Sequence, residues 1–283
     1  DLDTHTRERV RKRLRGPVLS GAELIAEALQ QCGFQRLSGM MGIPADAIFG
    51  GACKRGLRVL GFRSQVNAVL AAAADNYISG RMAHAVCLSA GPALTNVLTG
   101  VYYARDNHFP VLVLGTRKGF DGMGKGAFQE LEAVPLFKSL TKWAASVNEV
   151  DAIMPMVAEA SQRALEGQPG PVYLEFADEL LKSTGTVQEC RVPVRQPGRL
   201  PSAEVETAMQ HIRQAERPLL CLGEDIRWEV DLASLLDFVE REQLPFMTSP
   251  MGRGLLPEHH PLCANRARRL LPRLTDCFIM AGA

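Results

Sequence analysis

The sequence predicts an α/β fold built on doubly wound parallel sheets. Short, wholly apolar segments such as "HAVCL" (84–88) and "FPVLVLGT" (109–116) alternate along the chain with segments of helical periodicity. Strands that are apolar throughout are buried on both faces, which is typical of parallel sheets covered by helices on each side. The chain has 283 residues and is 46% hydrophobic and 22% charged, as expected of one large or two medium-sized globular domains.

The first element is a helix within "LSGAELIAEALQQCGF" (19–34). Ser20 followed by Glu23 is the signature of a capping box, in which each side chain bonds to the other's backbone. Apolar residues at 22, 24, 25, 28 and 29 form one buried face, and Gly33 suits the end of the helix.

Helices and strands then alternate as far as residue 177. The segment "RLSGMMGIP" (36–44) is a strand that ends in a Gly-x-Pro turn, and "RKGFDGMGKGAFQE" (117–130) is a polar, Gly-rich loop. The other predicted elements are, in order, helix 46–55, strand 57–62, an alanine-rich helix 67–79, strand 84–88, a helix from "SAGPALTN" (89–96) to about 105, strand 109–116, helix 152–166 and strand 170–176.

Changes in composition divide the chain into four parts. Residues 1–17 are a basic N-terminal arm, and 18–182 form the first α/β domain. Residues 183–201 lose periodicity and read as a linker. A second α/β domain follows at 202–283, with a helix capped by Ser202, and its length predicts that it is incomplete.

Charge and cysteine usage exclude several classes of function. The net charge is +1, and the basic segment "RERVRKRLR" (7–15) lacks interleaved aromatic residues, so a solvated leader is favoured over an arm that binds an acidic partner or nucleic acid. No apolar run is long enough to span a membrane. Seven scattered cysteines without a C-x-x-C pair argue against a zinc site and a disulfide framework, and indicate a cytoplasmic protein.

The candidate site lies at the carboxyl ends of the predicted strands, where open parallel sheets collect their ligands. Four segments end there: "GIP" (42–44), the head of the alanine-rich helix, "SAGPALTN" (89–96) and the loop 117–130. "SAGPALTN" has small residues before a helix but no lysine, which makes it a weak phosphate-binding loop.

The order of these motifs resembles one family. Gly-x-Pro, an alanine helix ending in "DNY" (75–77), "SAGPALTN", "GAFQE" (126–130) and "GQPGPVYLE" (167–175) resemble the pyrimidine-binding domain of thiamine-diphosphate enzymes of the acetolactate synthase and pyruvate oxidase type. "PMGRGLLPEHHP" (250–261) is similar to the central domain of the same family. The resemblance implies a thiamine-diphosphate-binding fold followed by part of a second α/β domain.

The resemblance implies roles for five residues. Pro44 resembles the residue that packs on the aminopyrimidine ring, and Pro92 and Asn96 resemble the turn and helix start that line the cofactor pocket. Phe128 and Gln129 resemble the pair that faces the thiazolium and the substrate. Each also has a purely structural reading, since Pro44 can start a helix, Asn96 can cap one, and a phenylalanine is more often part of the core.

One family residue is missing. The resemblance places a glutamate ten residues before the tyrosine that ends the alanine helix, and this position is Asn67. That glutamate gives a proton to the aminopyrimidine, a general acid step worth about 10²–10⁴-fold in rate. An amide can donate a hydrogen bond but cannot transfer a proton. We therefore expect Asn67 to bind and orient the cofactor, and we expect the cofactor to be activated more slowly than with a glutamate. A register shifted by two residues would place Gln65 there instead, which is also an amide.

The diphosphate end of the cofactor has no predicted ligands in this chain. The family binds Mg²⁺ through a Gly-Asp-Gly segment with a later Asn, and the sequence contains no "GDG". The resemblance therefore implies that a second chain or segment carries the diphosphate-binding domain and Mg²⁺, within a homo- or hetero-oligomer. The acidic turn "GEDIRWE" (223–229) disfavours FAD in the second domain.

These features predict half of a thiamine-diphosphate-dependent enzyme. We expect it to decarboxylate a 2-oxo acid such as pyruvate and to transfer the acyl unit to a carbonyl acceptor, with Asn67 and Gln129 at the catalytic centre. The alternative is a non-catalytic scaffold or regulatory paralogue of such an enzyme, in which Asn67 is a relic.

Overall fold

The computed structural model describes residues 17–191 and 201–282. The chain divides into two compact units, with the boundary between Val194 and Arg195. The predicted basic arm lies outside the described residues apart from Pro17. Within the described ranges, no helix is long and apolar enough to cross a lipid bilayer.

The first unit contains eight strands. They are β1 (Val18–Ser20), β2 (Arg36–Gly39), β3 (Arg58–Gly61), β4 (His84–Leu88), β5 (Leu112–Arg117), β6 (Trp143–Val147), β7 (Val172–Ala177) and β8 (Thr184–Thr186). Six of them form one sheet in the order β3-β2-β4-β5-β7-β6. All five pairings within this sheet are parallel. The strands β1 and β8 form a separate antiparallel pair.

Helices cover both faces of the six-stranded sheet. They are α1 (Gly21–Gln31), α2 (Asp46–Lys54), α3 (Gln65–Ser79), α4 (Pro92–Asn96), α5 (Leu98–Asp106), α6 (Ala133–Lys138), α7 (Ile153–Leu165) and α8 (Asp178–Lys182). Crossovers between parallel strands are right-handed, so connections that run in opposite directions along the sheet put their helices on opposite faces. Accordingly, α1 packs against α2 and α7, whereas α3 packs against α5.

The core of this unit is the sheet itself. Every residue of β4, β5 and β7 is buried. This burial on both faces explains why these strands are nearly continuous apolar runs. The capping box of α1 is also present, because Ser20 Oγ accepts from the Glu23 backbone N–H and the Glu23 carboxylate accepts from the Ser20 N–H. The predicted α/β class with a doubly wound parallel sheet is confirmed.

Several local features differ from the sequence predictions, among them two strands and the start of one helix. The edge strand β6 was not predicted, because "WAASV" is only half-buried at the rim of the sheet and so lacks a wholly apolar run. The strand β8 lies inside the range predicted as a linker, and it pairs with β1. The alanine-rich helix α3 begins at Gln65, two residues before its predicted start.

The second unit is a smaller α/β layer structure. Its strands are β9 (Pro218–Leu222), β10 (Phe246–Thr248) and β11 (Cys277–Ala281), and its helices are α9 (Ser202–Gln214), α10 (Ile226–Glu229) and α11 (Leu232–Arg241). The parallel sheet has the order β10-β9-β11, with Leu222 and Phe246 in the core. The predicted cap at Ser202 is wrong, because Pro201 holds the N-cap position and Ser202 is already helical.

Candidate functional site

The strand order places a crevice beside β2. The chain runs from β2 outward to β3 and then returns to β4 on the other side of β2, so the connections after β2 and β4 diverge at this point. Such a switch point, at the carboxyl ends of parallel strands, is where open α/β sheets bind ligands. The two connections approach closely here, since a Cβ on Gly42 would lie 3.1 Å from Ser89 Oγ.

Gln65 lies at the centre of this crevice. It is the first residue of α3, and its side chain is only 8% exposed. Its Oε1 accepts a hydrogen bond from Asn96 Nδ2 at 2.6 Å, and its Nε2 contacts Met40 Sδ at 3.4 Å. A single buried amide therefore joins the connections that follow β2, β3 and β4.

Asn67 is not part of this cluster. Two residues along an α-helix rotate a side chain by about 200°, so Asn67 and Gln65 point in different directions. Asn67 is exposed, whereas Gln65 is buried. Of the other predicted residues, Pro44 is buried in the turn after β2, and Pro92 is the exposed first residue of α4. The structure thus brings Asn96 to Gln65 and leaves Asn67 apart.

The Gly-rich loop contacts the start of α4 through Gln129. Gly91, the N-cap of α4, has φ 66° and ψ −113°, a conformation that glycine adopts readily. A Cβ on Gly91 would lie 2.7 Å from Gln129 Cβ, closer than real Cβ atoms come. Gln129 itself has φ 63°, which is uncommon for a residue with a side chain. Gln129 and the turn before α4 therefore meet in the structure.

Glu130 holds the loop in this shape. Its carboxylate accepts hydrogen bonds from the backbone N–H groups of Gly126 at 2.9 Å and Ala127 at 3.1 Å, and also from that of Gly124. These bonds, led by the one from Gly124, lower the pKa of Glu130 because they favour the charged form. Glu130 is therefore a clasp for the loop that carries Phe128 and Gln129.

Large apolar side chains stand exposed around the crevice. Phe128 is 77% exposed, Ile43 is 75% exposed and Met41 is 59% exposed. Lys118 Nζ lies 5.9 Å from the centre of the Phe128 ring. Isolated apolar residues on a surface are ordinary, but three of them on the connections around one crevice mark a surface that a ligand or partner can cover.

A cavity of about 470 Å³ beside the Gly-rich loop is lined by residues that include Arg117, Glu132, Ser146 and Glu175. Arg117 Nε lies 3.3 Å from Glu175 Oε1, and Tyr173 donates to Glu175 Oε2 at 3.1 Å. Burial raises the pKa of Glu175, although Arg117 and the hydrogen bonds oppose the change. This buried pair fixes the ends of β5 and β7 beside the loop.

Sequence reasoning missed Glu130 and Gly91 and treated Gln65 only as an alternative. The signal for Gln65 was Ser64 before it, because serine favours the N-cap position and so allows the helix to begin at Gln65. The signal for Glu130 was its position after three glycines within seven residues (120–126). The buried pair Arg117 and Glu175 had no local signal, because the two residues meet only through strand pairing.

In the second unit, acidic side chains stand at the carboxyl end of β9, as the sequence indicates. Ser249 Oγ donates to Glu224 Oε2 at 2.8 Å, which links the turns after β9 and β10. Among the described residues, no group of three or more His, Cys, Asp or Glu side chains could hold a metal ion. The exclusion of FAD stays a prediction.

Curated proteins with related sequences share most of this chain. The chain is 31% identical over 272 residues to 2-hydroxyacyl-CoA lyase 1 of Homo sapiens. The aligned region covers 94% of this chain and 46% of the human protein. It is 30% identical over 279 residues to 2-hydroxyacyl-CoA lyase of Arabidopsis thaliana, and the aligned region covers 94% of this chain and 48% of the plant protein. It is also 30% identical over 271 residues to oxalyl-CoA decarboxylase of Escherichia coli K12, with 93% and 48% covered. The chain spans about half the length of the curated relatives it matches.

Two family models match the two units. Residues 19–136 match the thiamine pyrophosphate enzyme, N-terminal TPP binding domain. Residues 205–283 match the thiamine pyrophosphate enzyme, central domain. The two matches together cover more than half of the chain, and the switch-point crevice with Gln65 and Asn96 lies within the first of them. The chain belongs to the thiamine pyrophosphate enzyme family.

Proposed function

We propose that this chain forms the aminopyrimidine-binding wall of a thiamine-diphosphate-dependent enzyme that cleaves a carbon–carbon bond next to a carbonyl group. The observation that carries the proposal is the buried Gln65 amide at the switch point, held by Asn96 at 2.6 Å. The family match supports the cofactor, and the names of the relatives support cleavage of the lyase or decarboxylase type.

The crevice has donors and shape that fit a neutral heterocycle. A Gln side chain has two N–H donors, and the thioether of Met40 is a weak acceptor, so the Gln65 amide can donate to a ring nitrogen. Pro44 is an apolar residue buried in the turn after β2, and Gly91 leaves room for Gln129 to approach. In this proposal Gln65 takes the role that sequence reasoning gave to Asn67.

Thiamine diphosphate supplies a carbon nucleophile and an electron sink for breaking bonds next to a carbonyl. The residues of this chain bind and orient its ring. Gln65 directs a hydrogen bond to a ring nitrogen but holds no proton that it can transfer at neutral pH. Phe128 and Gln129, on the clasped loop, shape the side from which a substrate enters.

The diphosphate end requires groups from outside the described residues. Those residues hold no cluster suited to a divalent cation, whereas diphosphates are commonly bound through Mg²⁺. The exposed Met41, Ile43 and Phe128 are suited to burial against another domain. We therefore propose that a further segment or a second chain of an oligomer carries the diphosphate and Mg²⁺ sites. A cytoplasmic location is part of the same proposal.

The relatives suggest an acyl-CoA type substrate, and the acetolactate synthase-like reaction suggests a 2-oxo acid such as pyruvate. Both begin with cleavage beside a carbonyl carbon. The lyase and carboligase reactions differ in what accepts the resulting carbanion equivalent. In a simple lyase or decarboxylase the acceptor is a proton, and in a carboligase it is a second carbonyl group. We propose the lyase reaction as the principal one and transfer to a carbonyl acceptor as its variant.

The experiment uses the full-length protein with Mg²⁺, with and without thiamine diphosphate. Product release is measured from a 2-hydroxyacyl-CoA, from oxalyl-CoA and from pyruvate with an aldehyde acceptor, and cofactor binding is measured by calorimetry. Cofactor-dependent cleavage of at least one substrate is expected, together with weaker binding in Gln65→Ala than in the control Asn67→Ala. Absence of turnover, with cofactor affinity unchanged in Gln65→Ala, would instead favour the non-catalytic paralogue.

A further inference from the structure

Two cysteines that are far apart in the sequence meet in the first unit. Cys32 is the C-cap of α1, and Cys190 follows β8. The Cys190 backbone N–H donates to Gln31 Oε1 at 2.8 Å, and Cys32 Sγ lies 3.8 Å from the Arg191 carbonyl oxygen. Cys32 Sγ therefore lies beside the residue that follows Cys190, and Cys190 lies beside the residue that precedes Cys32. They are therefore neighbours through tertiary structure alone.

The segment that carries Cys190 is fixed against the rest of the unit. Its preceding strand β8 pairs with β1, and the Val187 N–H donates to the Pro17 carbonyl at 3.2 Å. Gln188 Nε2 donates to the Asp151 carbonyl at 2.7 Å, and Cys190 Sγ lies 3.5 Å from the Met154 carbonyl oxygen. These contacts fix Cys190 beside the end of α1 without a covalent bond.

The two thiols differ in exposure and in acidity. Cys32 is 1% exposed, whereas Cys190 is half-exposed. The hydrogen bond from Cys32 lowers the pKa of Cys190, although burial and the nearby Glu27 carboxylate oppose the change. The same contact, with burial, raises the pKa of Cys32. Since the thiolate is the reactive form, Cys190 is the nucleophile of the pair and Cys32 is its resolving partner.

We propose that Cys32 and Cys190 form a peroxide-responsive thiol pair that converts reversibly into a disulfide. The Cys190 thiolate attacks one oxygen of hydrogen peroxide, the O–O bond breaks, and Cys190 becomes a sulfenic acid while one water leaves. The Cys32 sulfur then attacks the Cys190 sulfur, the S–O bond breaks, and a second water leaves as the S–S bond forms. Two thiols lose two electrons in total, and one peroxide is reduced to two waters.

The disulfide would attach the end of α1 to the segment that leaves the first unit. Cys190 lies four positions before the unit boundary at Val194. The reduced pair leaves Cys190 without a covalent link to α1, whereas the oxidised pair fixes its position covalently. Reduction by a dithiol restores the starting state, so the pair is compatible with a reducing compartment.

The test treats the full-length protein with hydrogen peroxide, blocks free thiols, and maps peptides without reduction. The expected result is a Cys32–Cys190 cross-linked peptide that dithiothreitol removes, formed about tenfold faster than oxidation of Cys53. Cys53 is the matched control, because it is exposed and its side chain is also a free thiol in the first unit. In the Cys32→Ser variant, a 1,3-diketone should trap Cys190 as the sulfenic acid.

Two results would overturn the proposal. The first is the absence of the Cys32–Cys190 peptide while Cys53 is already oxidised. The second is a Cys190 sulfenic acid that accumulates in the wild-type protein as fast as in Cys32→Ser, because a resolving partner must consume it. The wild-type measurement needs no variant to fold, so it decides the question by itself.

Discussion

Replacing Gln65 with glutamate would add a proton donor to the crevice without changing the shape of the side chain. The new carboxyl keeps the acceptor that Asn96 Nδ2 approaches at 2.6 Å. The position is only 8% exposed, and burial raises the pKa of a carboxyl group because it disfavours the charged form. The protonated carboxyl can then donate to a ring nitrogen, as the amide does, and can also transfer the proton.

General acid catalysis of this kind is worth about 10²–10⁴-fold in rate, or about 2.7–5.4 kcal/mol of barrier. We therefore expect Gln65→Glu to raise the rate of hydrogen–deuterium exchange at C2 of bound thiamine diphosphate by a factor in this range. The exchange is measured by NMR after acid quench of the full-length protein loaded with cofactor and Mg²⁺.

The matched control is Asn67→Glu, two residues along the same helix. Its side chain is exposed, so its carboxylate stays in water, and we expect the exchange rate to remain that of the wild-type protein. An increase in Asn67→Glu with none in Gln65→Glu, in variants that bind the cofactor equally, would refute the assignment of the site to Gln65.

Three further predictions concern the loop, the α4 turn and the first helix. Gly91→Ala should destabilise the protein by about 1–3 kcal/mol in urea unfolding, because φ is 66° and the new Cβ meets Gln129, whereas Gly50→Ala, with open space around it, should not. Glu130→Gln should increase proteolysis within 118–130, and lowering the pH should do the same to the wild-type protein. The Glu130 carboxylate is fully charged above the ordinary pKa of a glutamate, and its hydrogen bonds to the loop are lost as the pH falls through its lowered pKa. Lys54 and Ser20 lower the pKa of Glu23 from 4.5 to about 2. The contribution of Glu23 to the free energy of unfolding is therefore complete above pH 4.5 and disappears as the pH falls toward 2. Thermal unfolding between pH 6 and pH 2 should show this dependence in the wild type and less of it in Glu23→Gln.

The sheet was largely readable from the sequence because its strands are buried on both faces. β4 was predicted at its observed bounds, since the run after His84 is apolar and ends at the polar Ser89. β6 was missed because it is an edge strand, and its partly buried residues do not form a continuous apolar run. The pair β1 and β8 was missed because two three-residue strands carry too few residues for a pattern.

The sequence predicts which connections lie at the carboxyl ends of the strands more readily than which side chain faces the crevice. The topology determines which loops meet, and the loops after β2 and β4 do meet beside Gly42 and Ser89. Which side chain at the head of α3 faces the crevice depends on where the helix starts. Counting back from Tyr77 led to Asn67, and a start two residues earlier turns Gln65 inward instead.

The chemistry of the crevice supports the proposal that its residues bind the ring of thiamine diphosphate while another segment or chain binds the charged end. The side chains that contact Gln65 at the switch point, Met40 and Asn96, are uncharged, as Gln65 is. A buried full charge without a partner is costly, so an uncharged crevice favours a neutral ring over a phosphate. A diphosphate needs Mg²⁺ or several cationic donors, and adding them beside Gln65 would bury charge at the place where the amide is now satisfied. Assigning the charged end of the cofactor to another segment or chain lets each surface keep the polarity of its own ligand group.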